Sequence, residues 1–255
     1  MTLQMSPPSH PSAPPPAARS AARRIWWIAL VAVIAIVGAI VATRTRDSGS
    51  QVTVPTTAPA ATPPSNTPAT SSTDTSTAVW PQSASGVKYS DPVAATRGFA
   101  VDFLGFVDPV VGSYRAGDSR SGEVDVQAKA SGAVTTVFVR QLGADDSWWV
   151  LGAATNDIRL MTPNALDAIS SPVHLTGTST AFEAQVNVRI YADGQTTPLT
   201  DTFVMGGSMG EFAPFDATVS FATPHAASGT IVMFTRSMED GNIWEASVLR
   251  ITFRS

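Results

Sequence analysis

The residues with the right types and spacing for chemistry are few. Gly206-Gly207-Ser208-Met209-Gly210 fits G-x-S-x-G, the turn on which serine hydrolases expose a nucleophile. That turn works between a buried strand and a helix. Here the next residues, Glu211 to Phe215, include Pro214 and lead into another strand-like run. Asp216 and His225 would complete a triad in the right chain order, but crowded into a short stretch. A glycine-rich turn between strands accounts for the motif better, so Ser208 stands as the alternative, enzymatic reading. Ser85 and Lys88 fit S-x-x-K without the S-D-N and K-T-G elements that accompany it in penicillin-binding enzymes. His10, His174 and His225 have neither metal-ligand spacing nor an H-E-x-x-H frame. Asp145-Asp146 and Glu239-Asp240 read as turn residues. No glycine loop for phosphate is present. These patterns predict no catalytic residues, no metal ligands and no cofactor.

Composition excludes further classes. The chain has no cysteine, and so no disulfide, thiolate metal site, cysteine nucleophile or lipidated cysteine. Net charge is −4, but the five arginines of residues 1–46 stand without any acid. The remainder holds 11 basic against 20 acidic residues, a net charge of −9. An acidic region of that kind does not collect on phosphate backbones, so nucleic acid is not an expected partner.

The elements that would position any site begin with an anchor. Ile25 to Ala42 is 18 consecutive apolar or glycine residues. At 1.5 Å per residue this spans about 27 Å, close to a hydrocarbon core. Trp26 and Trp27 lie at one boundary, and arginines flank both ends. The run exceeds the apolar core of a cleaved signal peptide and follows a 24-residue tail. The expectation is a cytoplasmic disordered tail over 1–24, a transmembrane helix over 25–43 and an extracytoplasmic remainder. Gly38 and Ala42 form a small-xxx-small pair that would permit helix pairing, as a scaffold component would need. From Asp47 to Trp80, 25 of 34 residues are Ser, Thr, Pro or Ala, which buries too little apolar area to fold. A disordered tether over 44–87 is predicted.

Two folded modules should follow. In the first, 88–163, Asp91-Pro92 starts a helix whose stripe is Thr96, Phe99, Ala100, Phe103 and Val107, ending at Asp108-Pro109. Period-two runs at Glu123–Ala130, Ala133–Leu142 and Ser147–Ala154 make it a small α+β module. Trp148 and Trp149, adjacent in a strand, should point to opposite faces. One packs on the helix; the other is either covered by the next module or left as an interaction surface for sugar or protein. In the second module, 164–255, Phe182, Ala184, Val186, Val188 and Ile190 alternate with polar residues, then Ala192-Asp193-Gly194 turns. Phe215, Ala217, Val219 and Phe221 alternate likewise. Further strands are expected at Val173–Gly177, Leu199–Met205, Thr230–Thr235 and Trp244–Phe253. The last changes phase between Val248 and Leu249, which reads as a bulge. About seven strands make a β-sandwich of immunoglobulin type.

The run Ile169 to Val173, then Gly177, then Phe182-Glu183, then Gly210 to Phe215, resembles the immunoglobulin-like domain of bacterial spore germination proteins, over roughly residues 165–254. That domain often accompanies a germination-and-sporulation (GerM-type) domain, of which the first module shows no sign. The resemblance implies a non-catalytic module of a bacterial cell envelope and supplies no catalytic residues. The expected fold is therefore mainly β: a C-terminal immunoglobulin-like sandwich preceded by a small α+β module, after a transmembrane helix and tether. The expected function is a non-enzymatic protein of the bacterial cell membrane, binding an envelope protein or cell-wall glycan.

Overall fold

The computed structural model describes residues 74–254, and the expected tail, transmembrane helix and most of the tether lie outside them. Among the described residues, no helix is long and apolar enough to cross a membrane.

Among the described residues, one α-helix, α1 (Pro92–Gly98), precedes thirteen strands. The Asp91 carboxylate accepts the Ala94 N–H and Pro92 occupies the first turn, as the sequence predicts. The helix then widens into a π-helical turn over Phe99–Leu104, closed by Gly105 in the left-handed conformation. The widening changes which residues face inward. Thr96, Phe99 and Ala100 are buried as expected, but Leu104 and Phe106 follow them in place of Val107, which is 67% exposed. A π-turn inserts extra arc per residue and so breaks the 3.6 spacing on which the predicted stripe rests.

The strands are β1 (Val110–Ala116), β2 (Ser121–Gln127), β3 (Thr135–Leu142), β4 (Ser147–Thr155), β5 (Ile158–Thr162), β6 (Ala168–Ile169), β7 (Val173–Ala181), β8 (Gln185–Ala192), β9 (Thr200–Met205), β10 (Gly207–Ser208), β11 (Ala213–Val219), β12 (Ser228–Arg236) and β13 (Ile243–Phe253). The larger sheet runs β1-β2-β3-β4-β13-β12-β8-β9, with β6 added along β13. The smaller is β10-β7-β11, with β5 also paired to β7. The fold is mainly β, with sandwich-like sheets. β1 escapes the sequence reading because only two of its seven residues are even half-buried, so it carries no alternating apolar signal.

The boundary expected at 163/164 falls between β5 and β6, yet the larger sheet runs across it, with Ala153 of β4 paired to Val248 of β13. Its two faces are covered at different places. On one face the helical segment packs Phe99, Ala100 and Leu104 on Val124, Val126, Val137, Val139 and Trp148. On the other, Ile158, Leu175 and Phe215 of the small sheet pack on Val186, Val188 and Ile190 of β8. β12 and β13 serve both cores. Val232 and Phe234 belong to the first and Ile231 and Met233 to the second. In β13, Ala246 and Val248 belong to the first and Ile251 to the second. The phase change read as a bulge near Val248 is therefore a change of core along one strand. Pairing with β12 stays in register from Thr252 to Glu245, and the irregularity falls near Trp244.

The segment assigned to the end of the tether is also folded. Val79 N–H donates to the Val150 carbonyl at 2.8 Å, and Val150 N–H donates to the Trp80 carbonyl at 2.7 Å. Trp148 N–H donates to the Tyr89 carbonyl at 2.8 Å. Residues 79–89 thus supply the ladder partner that β13 gives only to the far half of β4. Ala78-Val79-Trp80 is the apolar patch in an otherwise polar run, and composition averaged over the whole stretch conceals it.

Candidate binding cleft

Neither tryptophan offered by the sequence is on the surface. Trp148 is 8% and Trp149 9% exposed. They do point to opposite faces. Trp148 joins the helix-side core, edge-on to Tyr114 at 5.2 Å. Trp149 packs with Ala78 and Leu142 in a small separate cluster. Part of its cover is Ala78, from the segment before β1, and both indoles are buried rather than exposed.

The serine motif is likewise explained by packing. Ser208 lies in β10, paired in parallel with Ala181, and the chain turns into β11 with no helix after it. Asp216 binds His174 Nε2 at 2.6 Å. It pairs opposite Thr176, five residues along β7 from Ala181, or about 16 Å at a strand's rise. Ser208, Asp216 and His225 are not gathered into a triad. The glycines have a steric reason instead. A Cβ on Gly206 would lie 2.0 Å from Ser179 Oγ, and one on Gly207 would lie 2.0 Å from the Glu211 carbonyl. Lys88, of the S-x-x-K match, pairs with Asp145 at 2.5 Å on the surface. Among the described residues no three His, Asp or Glu side chains converge as a metal site.

What the turns do build is a cleft of about 520 Å³ at one end of the space between the sheets. Its rim is made by three loops. After β7, Glu183 and Ala184 take positive φ (56° and 64°), which reverses the chain at once and leaves Phe182 outside the sandwich. After β10, Met209 and Gly210 take φ of 55° and 89°, and Met209 is 75% exposed. The β12–β13 turn carries Met238, 64% exposed. Phe212 is exposed as well, with the Arg159 guanidinium 4.4 Å above its ring. Trp244 completes the wall. The sequence expectation of a strand running through Phe182 and Ala184 is thus corrected: those residues form the turn, and the buried alternation begins at Val186.

Two carboxyl groups line the cleft floor. Glu245, in β13, is 2% exposed. It accepts the Thr235 hydroxyl at 3.0 Å and a very short bond from the Thr155 hydroxyl. Burial raises its pKa to about 7, and the charge of Asp157 adds to the rise, while the two hydroxyls oppose it. Asp157, in the β4–β5 turn, is raised too, chiefly by burial, with Arg159 acting the other way. Sequence reasoning missed Glu245 because it takes every second residue of β13 as outward. The available signal was that both phases of that strand are apolar, which marks a strand buried on both faces.

Most of the cleft lining, but not Trp244 and Glu245, falls in a segment that matches a known family model. Residues 157–242 match the family model of the immunoglobulin-like domain of bacterial spore germination. The match begins with Asp157, just before β5, and stops before β13. No curated protein and no solved structure matches the chain.

Proposed function

We propose that this chain is a non-enzymatic, membrane-anchored protein of the bacterial cell envelope whose extracytoplasmic immunoglobulin-like sandwich binds a protein or wall polymer. The carrying observation is the clustering of Phe182, Met209, Phe212 and Met238, all exposed, around one cleft at one end of the sandwich. Exposed apolar side chains gathered on three loops of a rigid sheet scaffold are the usual make-up of a binding surface. The family match supports an envelope setting. The 18-residue apolar run from Ile25, bracketed by arginines, supports the anchor. The Ser/Thr/Pro-rich stretch after it would hold the sandwich away from the membrane.

The test is a photo-crosslinking amino acid placed in the full-length chain in living cells, at Met209 and, as control, at Asp118 in the β1–β2 turn, at the other edge of the larger sheet from β8 and β9. A discrete adduct from position 209 alone is expected. Digestion by protease or by muramidase then tells protein from wall polymer. Absence of any adduct at 209, or equal adducts at 209 and 118, would overturn the reading.

A further inference from the structure

The same cleft is more than an apolar patch, because its floor is acidic and its walls are soft. Asp157 and Glu245 line it beneath Phe182, Met209, Phe212 and Met238. We propose that it receives a lysine or arginine side chain from an apolar peptide segment of a partner protein. The cation would sit on Asp157 and Glu245, and the flanking apolar side chains on the rim. This deepens, and rests on, the reading of this sandwich end as a binding surface.

Each alternative ligand class meets a physical objection. A purely apolar ligand would cover the half-buried Asp157 carboxyl without giving it a partner, which costs free energy. An anionic ligand would bring like charge against both carboxyl groups and against Glu239 on the rim. A cation on an apolar stem meets neither objection. A carboxylate has about four acceptor directions, and Glu245 uses two of them on Thr155 and Thr235. The rim suits such a stem: methionine adapts its shape, and aromatic faces attract cations, as Arg159 over Phe212 already shows. The nearby cations are engaged elsewhere. Arg236 donates to the Gly241 carbonyl at 2.8 Å and lies over Phe234. Lys129 pairs with Glu239 at 2.7 Å and Asp240 at 3.3 Å. Arg159 donates to the Asn156 carbonyl at 3.2 Å.

Binding should also be linked to protons. The charge that acts on Glu245 is that of Asp157 from the β4–β5 turn; Arg159 of β5 acts in turn on Asp157, and Arg236 of β12 and Glu239 of the β12–β13 turn line the same cleft. A bound cation favours ionised Glu245, which titrates near pH 7. Affinity should therefore rise as pH increases from about 6 to 8.

The test titrates the full-length chain, labelled with ¹³C at its methionine methyls, with acetyl-Leu-Lys-Leu-amide and with acetyl-Leu-Glu-Leu-amide. The lysine peptide should shift the Met209 and Met238 signals saturably, and the glutamate peptide should not. Glu245→Gln should weaken the lysine peptide about tenfold, as loss of a charge-assisted bond does, and should flatten the pH dependence. Asp157→Asn, in a less buried turn, gives the same reading should Glu245→Gln fail to fold. Equal response to both peptides, no response to either, or an Asp157→Asn variant that binds as tightly as the parent would overturn the inference. A crosslinked partner at position 209 with no peptide response would leave the binding reading standing and sink this one; no crosslink and no peptide response would sink both.

Discussion

At the residue scale, the two most consequential side chains are charged groups in places where polar residues are rarely buried. Glu245 holds its proton more tightly when folded, with a pKa of about 7 against the ordinary 4.5. At that group the folded state therefore binds more protons between those values, so the contribution of Glu245 to stability should be fully present below about pH 4.5 and be lost as pH rises through 7. Glu245→Gln keeps the shape and removes the charge. Urea unfolding at pH 5 and pH 8 should show the parent losing about 1–3 kcal/mol more than the variant over that interval. An identical loss in both would mean that some other group carries the pH dependence. Arg250 is the second case. Its side chain is 5% exposed, forks onto both oxygens of Asp193 at 2.5 and 2.6 Å, and donates from Nε to the Ser76 carbonyl at 2.9 Å. It ties β13 to the turn after β8 and to the segment before β1. Arg250→Ala should destabilise by about 2 kcal/mol, because it empties a buried position and breaks three hydrogen bonds even though Asp193 is 42% exposed, whereas Arg189→Ala, in a pair partly exposed on both sides, should cost about 1 kcal/mol or less. Thermal melts of the two variants side by side would decide it.

At the element scale, the π-turn gives a sharp contrast between near neighbours. Leu104 is buried in the helix-side core and Val107 is exposed, though a regular helix would have turned Val107 inward. Leu104→Ala should cost about 2–5 kcal/mol and Val107→Ala less than about 0.5 kcal/mol by denaturant titration. If the two cost the same, the helix is regular and the widening is absent. The strands show the same dependence on context. The three central positions of β8 follow from alternation alone, because that strand buries one face along its whole length. β1 and β5 do not, because an edge strand with little burial leaves no periodic mark. The start of β13 does not either, because two cores use opposite faces of the same strand.

At the scale of the whole molecule, the sharing of β12 and β13 decides what can fold by itself. The segment 88–163 lacks Val232, Phe234, Ala246 and Val248, which close its core. The segment 164–255 would expose those same residues to water. Neither should give a dispersed amide spectrum when expressed alone, while 74–255 should give one; a folded 164–255 fragment would contradict the shared-core account. The N-terminal limit of the folded unit follows from β4. Because residues 79–89 bond to it, limited proteolysis should leave a resistant fragment beginning near Asp74. A fragment beginning near Lys88 would mean that this segment is not held.

The sequence alone determined the class of the molecule: mainly β, free of cysteine chemistry, with a helix capped by Asp91 and a C-terminal sandwich identifiable from alternating apolar residues. These are local properties, set by capping, by period and by turn-forming residues, and they survive translation into three dimensions. Tertiary structure decided which face of each strand is covered and what lies across from it. Pairing between β4 and β13, some 95 residues apart, leaves no local trace. The same holds for the burial of both tryptophans, one of them partly by a segment that composition assigns to a linker. It holds most of all for the cleft, which comes from three loops meeting at one end of two sheets. Phe182, Met209 and Met238 look unrelated along the chain, and Glu245 looks like an ordinary surface acid until the second sheet is laid over it.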